Sequence, residues 1–354
     1  MIVTVGVQAT EDHEKMVVGP PHMVHVPRVE CPYQFVDAED NETTILKLSM
    51  AGTGKDFVFV GTAADGNGST FKPNAATGPH GMLLDWGGLY ASAVLADTQP
   101  AEPRSILFGW VFASYNLAAA VGGATFDCAL SLPRVMSTTT LPGSGAVVPT
   151  WEIAPEVASL RINPTTPTLL RRLQVPPNSA IPISLPKGAS GDALELRLNV
   201  SGGVDAVAGL GLSVRATTNS TALAGHGQQE QEQTLIYFLK SNNNTLGLKT
   251  TSSSADRNAH SDNVVAPYPS ETGLETPSAT GGQGDKGHTY SLRVFVDHSV
   301  IEAHVDARLS VTTRAYPLRA AEATHAFVIN RSPKTMTVES VEVWGMRSLW
   351  AVEI

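Results

Sequence analysis

In Leu194-Glu195-Leu196-Arg197-Leu198-Asn199-Val200 every second residue is apolar. Side chains alternate faces along a strand, so this run predicts a strand with one buried face and one polar face. Leu292-Arg293-Val294-Phe295-Val296 and Val338-Glu339-Ser340-Val341-Glu342-Val343 read the same way. Further strand-like runs are Thr234–Leu239, Val300–Val305 and Ala326–Asn330. Helical periodicity is scarce. Many short strands separated by Gly, Pro, Asn and Asp turns point to an all-β chain built as a sandwich, barrel or propeller.

Two stretches interrupt the pattern. Residues 137–149, STTTLPGSGAVVP, read as a linker between two units. Residues 251–290 are rich in Ser, Thr, Gly, Asp and Asn, which predicts a long, low-complexity and partly disordered surface insertion. Residues 1–22 carry little pattern, and no internal repeat is visible in the sequence. At 354 residues the chain has room for two domains and a sizeable core.

The formal net charge of −9 argues against nucleic acid and anionic membrane as partners, since both attract basic patches. No run of some eighteen apolar residues is present to span a bilayer. Cys31 and Cys128 could pair, but two cysteines do not make a disulfide framework. N-x-S/T sequons begin at Asn41, Asn67, Asn199, Asn219, Asn243 and Asn330, more than chance supplies, which hints at a secretory origin. The start, MIVTVGVQATEDHEKM, lacks the basic head and apolar core of a signal peptide. The expectation is therefore an N-terminal segment lying outside this chain.

The first candidate for chemistry is Glu30-Cys31-Pro32, behind the apolar run Met23-Val24-His25-Val26-Pro27. A glutamate acting as general acid needs a cleft that favours its protonated form, and this setting is compatible with burial. A surface glutamate before a turn would look the same. Other segments add to it: Leu84-Asp85-Trp86-Gly87-Gly88-Leu89-Tyr90-Ala91-Ser92, Arg104-Ser105-Ile106-Leu107-Phe108-Gly109-Trp110-Val111, Leu130-Ser131-Leu132-Pro133-Arg134, WEIAPEVASLR from Trp151 to Arg161, LRVFVDHSVIEAHVDARLSVTTRAYP from Leu292 to Pro317, and Val343-Trp344-Gly345-Met346. In this order they resemble the motif series of glycoside hydrolase family 32, the β-fructofuranosidases, from its "ECP" motif to its closing strand. The resemblance covers nearly the whole chain from Glu30 onward.

That resemblance implies the last part of a five-bladed β-propeller over residues 1–136, then a β-sandwich over 150–354. It also implies cleavage of terminal fructosyl bonds of sucrose or fructans with retention. One carboxylate attacks the anomeric carbon; the other protonates the leaving oxygen and then activates water, the pair standing about 5–5.5 Å apart. Glu30 matches the acid/base. Asp85 matches an acceptor for fructose hydroxyls, although a turn aspartate reads alike. Trp86 and Trp110 could stack on sugar faces or serve as packing. No cofactor or metal is implied. The small carbohydrate would be the partner, and the whole protein would be secreted, vacuolar or in the cell wall.

Departures accompany the likeness. The family's nucleophile motif "NDPNG" and its "RDP" motif do not occur in these 354 residues. Val29 stands where tryptophan is usual, and Gly88 where plant-type members often carry lysine. The expectation is that the chain alone is inactive; the rival reading is a non-catalytic carbohydrate-binding chain or pseudoenzyme. Asp297-His298-Ser299 holds three triad residue types, but neighbours on a strand point to opposite faces. His22 and His25 lack spaced partners for a metal, and Cys31 reads as a small apolar residue.

Overall fold

The computed structural model describes residues 7–9, 16–18, 29–37, 42–63, 70–78, 81–99, 103–112, 128–141, 144–164, 166–217, 232–240, 246–253, 263–267, 289–317 and 321–347. These residues are nearly all strand, and every strand pairing is antiparallel.

A short hairpin of β1 (Val7–Ala9) and β2 (Met16–Val18) precedes two blade-like sheets. In the first, β3 (Val29–Val36), β4 (Thr44–Met50) and β5 (Lys55–Ala63) run side by side. The far edge of β5 is paired in two pieces, by β6 (Phe71–Pro73) and β7 (Met82–Leu83). In the second, β8 (Leu89–Asp97) pairs β9 (Arg104–Phe112). The other edge of β9 takes β10 (Cys128–Leu130) and β11 (Arg134–Thr140), and β12 (Val147–Ile153) closes the sheet. Each sheet thus has four strand positions, the count of a propeller blade, with one position split. The break between β10 and β11 contains Pro133, which has no N–H for a ladder bond. An apolar wedge of Ile45, Val58, Leu84, Leu89, Leu107, Met136 and Trp151 joins the blades.

The stretch 137–149 does not run as a linker. It forms most of the β11–β12 hairpin, with seven residues in register from Arg134↔Ile153 to Thr140↔Val147. Its Ser, Thr and Pro residues mimic a loop because this hairpin lies at the edge of the sheet, where only one side needs ladder bonds and proline is tolerated.

A 3₁₀ turn, Pro155–Leu160, leads into the sandwich. One sheet has the order β13-β24-β15-β20-β21-β22: β13 (Thr168–Val175), β15 (Ala193–Ser201), β20 (Thr289–Asp297), β21 (Val300–Val305), β22 (Leu309–Arg314) and β24 (Met336–Gly345). The other runs β14-β23-β16-β17-β18-β19: β14 (Ser179–Pro182), β16 (Leu210–Ala216), β17 (Gln233–Lys240), β18 (Leu246–Ser253), β19 (Asn263–Pro267) and β23 (His325–Asn330). A single helical turn, α1 (Val204–Val207), follows β15. The alternating positions Leu194, Leu196, Leu198, Val294 and Val296 all enter one core with Leu212, Ile236 and Val328. Of the stretch 251–290, residues 263–267 form the edge strand β19 and the rest between 254 and 288 lies outside the described residues. Asn330, one of the six sequon positions, is fully buried. Its side-chain amide donates to the carbonyls of Val175, Pro176 and Lys334, so it has no room for a glycan.

Candidate active site

β3 and β8 are the first strands of successive blades, and each carries a bulge. Glu30 opposes Ser49 and Tyr33 opposes Lys47, so three steps along β3 match two along β4. Tyr90 opposes Trp110 and Ala93 opposes Phe108, the same mismatch in β8. The residue after each key side chain is left-handed: Cys31 at φ 45° and Ala91 at φ 50°. Left-handed backbone costs a residue with a Cβ about 1–2 kcal/mol, and bulges re-aim side chains. Here they turn Glu30 and Tyr90 toward each other. The Tyr90 hydroxyl donates to Glu30 Oε2 at 2.8 Å.

A buried polar set holds both bulges. Lys47 Nζ donates to the carbonyls of Cys31 (3.3 Å) and Ser92 (2.5 Å) and to Ser49 Oγ (2.7 Å), and lies 3.3 Å from Asp56 Oδ2. Asp56 accepts from the amides of Ala91 (3.1 Å) and Ser92 (2.8 Å) and from the Ser92 hydroxyl. Lys47, Ser49, Asp56 and Ser92 are all fully buried. Burial pushes the Lys47 ammonium below its ordinary range, with Asp56 pulling it part of the way back. Burial, with the Glu30 hydrogen bond and charge behind it, pushes the Tyr90 phenol up to about 12. Tyr90 therefore stays a proton donor throughout the neutral range.

From Tyr90 an aromatic strip runs outward. The Tyr90 and Trp110 rings lie 6.4 Å apart and the Trp110 and Phe112 rings 5.9 Å. Trp110 is 38 % exposed, and Leu130, which opposes it across the ladder, is 73 % exposed. Trp110 thus presents an open face next to Tyr90, the partner of Glu30.

The other two sequence candidates stand elsewhere. Asp85 is buried at the seam between blade and sandwich. Its carboxylate accepts from the amides of Gly87 (2.8 Å) and Thr312 (2.9 Å), from Thr312 Oγ1 (2.7 Å) and from Arg134 (3.0 Å). A carboxylate offers about four acceptor positions, so none remains for a sugar hydroxyl. Trp86 packs on the sandwich core, and its amide donates to the Ser310 carbonyl at 2.9 Å. Asp85-Trp86-Gly87-Gly88 lies along β22, so close at Gly87 that a Cβ would fall 1.8 Å from the Thr312 carbonyl oxygen. Asp85 and Trp86 are thus engaged at the seam, where Asp85 is bonded to a strand more than 200 residues away.

The seam has its own charge cluster. Arg134, fully buried, donates to Glu302 at 2.8 Å as well as to Asp85. Burial works against the Arg134 cation, but the two carboxylates outweigh it and raise its affinity for the proton. Burial likewise works against the charged Glu302, and His304 and Arg134 outweigh it, holding the carboxyl below its ordinary value. His304, 3.7 Å from Glu302 and bonded through Nδ1 to Ser310 Oγ at 2.8 Å, is pushed down by burial.

Among the remaining candidates, Asp297 and His298 pair at 2.8 Å in an exposed turn, and Cys31 and Cys128 are free thiols. His22 and His25 lie outside the described residues. Tyr90, Lys47 and Asp56 escaped the sequence reading. Tyr90 sits inside the Leu84–Ser92 segment that carries the resemblance, but only the fold shows that its hydroxyl meets Glu30.

Two propeller blades fused to a two-sheet sandwich, with a glutamate aimed from a bulge at the blade edge, define a glycoside hydrolase scaffold. Residues 11–147 match the profile described as the glycosyl hydrolases family 32 N-terminal domain, and residues 156–345 match the one described as glycosyl hydrolases family 32 C terminal. The chain belongs to glycosyl hydrolase family 32. It is 28% identical over 328 residues to the vacuolar acid beta-fructofuranosidase 4 of Arabidopsis thaliana, covering 86% of this chain and 46% of the relative. It is 27% identical over 326 residues to the bifunctional 6(G)-fructosyltransferase/2,1-fructan:2,1-fructan 1-fructosyltransferase of Allium cepa, covering 86% and 50%. The chain thus spans about half the length of the curated relatives it matches. Among solved structures, a variant of fructan 1-exohydrolase IIa from Cichorium intybus in complex with 1-kestose superposes with a TM-score of 0.67 at 18% identity, over 90% of this chain and 62% of that one. At that identity the likeness speaks to the fold.

Proposed function

We propose that this chain carries the acid/base side of a β-fructofuranosidase-type active site, with Glu30 as proton donor and acceptor and Trp110 as a stacking face for the sugar. The position of Glu30 carries the reading: a bulge turns it to the next blade, where a phenol holds one of its oxygens and an open tryptophan face stands beside the phenol. In the retaining reaction Glu30 protonates the departing glycosidic oxygen while a second carboxylate takes the anomeric carbon; it then accepts a proton from water as that ester is hydrolysed. The buried carboxylates nearest in sequence are already engaged, Asp56 by Lys47 and Ser92, and Asp37 by Ser137 and Thr138. On this reading neither of these two is the nucleophile, and residues 1–354 are expected to be inactive by themselves.

Sucrose and fructans are the substrate class, a vacuolar setting follows the name of the Arabidopsis relative, and a secreted one is the alternative. Among the described residues no helix is long and apolar enough to cross a membrane. Fructose release from sucrose and 1-kestose by an N-terminally extended enzyme tests the proposal. Glu30→Gln is expected to lower turnover by about 10²–10⁴-fold, the usual share of general acid catalysis. Turnover unchanged by Glu30→Gln, or enzymatic turnover by residues 1–354 alone, would overturn it. Transfer of fructose to a second sugar in place of water, as the name of the Allium relative suggests, would show among the products of the same assay.

A further inference from the structure

We infer that Tyr90 is a positioning residue that decides which oxygen of Glu30 moves the proton. The inference rests on the reading of Glu30 as acid/base. Tyr90 donates to Oε2 at 2.8 Å, which fixes the plane of the carboxyl group and reserves Oε2 for the phenol. The proton that leaves for the glycosidic oxygen as the C–O bond breaks, and the proton that returns from water, are then both carried by Oε1. The phenol keeps its own proton through both steps, so charge and protons balance between Glu30, the leaving sugar and water.

The geometry around Tyr90 is built for such a task. The left-handed Ala91 next to it is a strained choice for a residue with a Cβ, and strain of this kind persists only where the surroundings over-determine it. Asp56 fixes the amides of Ala91 and Ser92, and Lys47 bonds the Ser92 carbonyl on one blade and the Cys31 carbonyl on the other. One buried ion pair therefore sets the backbone beside both partners of the Tyr90–Glu30 bond. The ring itself rests near Trp110, so its angle is set by packing as well. The raised phenol ionisation agrees with a group that donates to a charged carboxylate at every working pH.

The test is Tyr90→Phe in the N-terminally extended enzyme, assayed on sucrose and on 4-nitrophenyl β-fructofuranoside, whose leaving group needs little protonation. Hydrogen bonds to charged groups imply a fall in kcat on sucrose of about 10–100-fold, with KM nearly unchanged. The loss should largely vanish on the nitrophenyl substrate. Equal losses on both substrates would make Tyr90 a packing residue only and overturn the inference. Should the phenylalanine variant fold poorly, 3-fluorotyrosine at position 90 keeps the shape and donates more strongly. Sucrose turnover should then stay close to that of the wild type, and a loss equal on both substrates again overturns the idea. A wild type without activity, or an active Glu30→Gln, would instead sink the reading of Glu30 itself.

Discussion

The sandwich and the blades fill their interiors with different material. In the sandwich one continuous apolar core runs from Val175 on β13 through Leu196, Leu212, Ile236 and Val328 to Val343 on β24, and buried charges such as Glu195, paired with Arg161 and Arg293, stand on other positions of its strands. Between the blades the apolar wedge is short, and beside it lie Lys47, Ser49, Asp56 and Ser92, all fully buried and bonded to one another or to the bulged backbone. Apolar area stabilises without direction, whereas hydrogen bonds in a dry interior impose geometry and are costly to leave unmade. The sandwich core thus gains its stability mainly from area. The blades give up some of that area for a polar set that aims Glu30 and Tyr90.

The strongest way to break this contrast is to unpair the polar set. Asp56→Asn leaves the Lys47 ammonium buried without its counter-ion, and the expected loss is about 3–5 kcal/mol in urea unfolding. Adding Lys47→Met should recover much of that stability while leaving the bulges unpinned. A cost below about 1 kcal/mol for Asp56→Asn would mean that the blades, like the sandwich, are held by apolar area.

A smaller effect is expected at the seam on acidification. Burial holds His304 below its ordinary value, so under about pH 6.5 the unfolded chain takes up a proton that the folded one refuses. Stability is lost as pH falls through that window. Glu302 is held low by His304 and Arg134 against its burial. Its contribution is present above about pH 4.3 and drains away below. Both signs agree, and Arg134 and Asp85 are the other charged groups at this seam. His304→Gln should flatten the stability curve between about pH 6.5 and 5, where one proton is worth at most about 1.4 kcal/mol per unit. An unchanged slope in urea midpoints would assign the acid sensitivity elsewhere.

The smallest effect sharpens the picture of the open blade face. Leu130 is 73 % exposed, so Leu130→Ser should shift stability by no more than about 0.5 kcal/mol. A larger loss in thermal unfolding would show that this face is covered in solution.

The same contrast explains what could be read from the chain. The sandwich strands announced themselves, because Leu194, Leu196 and Leu198 alternate with polar residues as a one-face-buried strand must. Glu30 and Trp110 were candidates only through the ordered motif series; in the structure Tyr90 bonds Glu30 and its ring lies 6.4 Å from that of Trp110. Alternation fails in the blades. β4 is buried at all seven positions, including Lys47 and Ser49, since both of its faces are packed. The hairpin at 137–149 hid behind its Ser, Thr and Pro content. The bond of Asp85 to Thr312 was hidden, because no local spacing reveals a partner so far along the chain. The Tyr90–Glu30 bond, 60 residues apart in sequence, depends on two bulges that leave no mark on composition.

The β11–β12 hairpin has a consequence for taking the molecule apart. β11 belongs to the blade through its pairing with β9, whereas β12 reaches across to the sandwich. The Trp151 amide donates to the Ala307 carbonyl at 2.9 Å and its indole to Ser310 Oγ at 2.8 Å. A single cut between Leu141 and Ala146 would therefore not separate two independent bodies. It would leave one fragment ending in β11 and the other beginning with β12, each holding the ladder the other lacks over seven paired residues. Such halves are each other's ligand, and the hairpin tip is a natural place to split this protein into a complementing pair for use as a reporter of proximity.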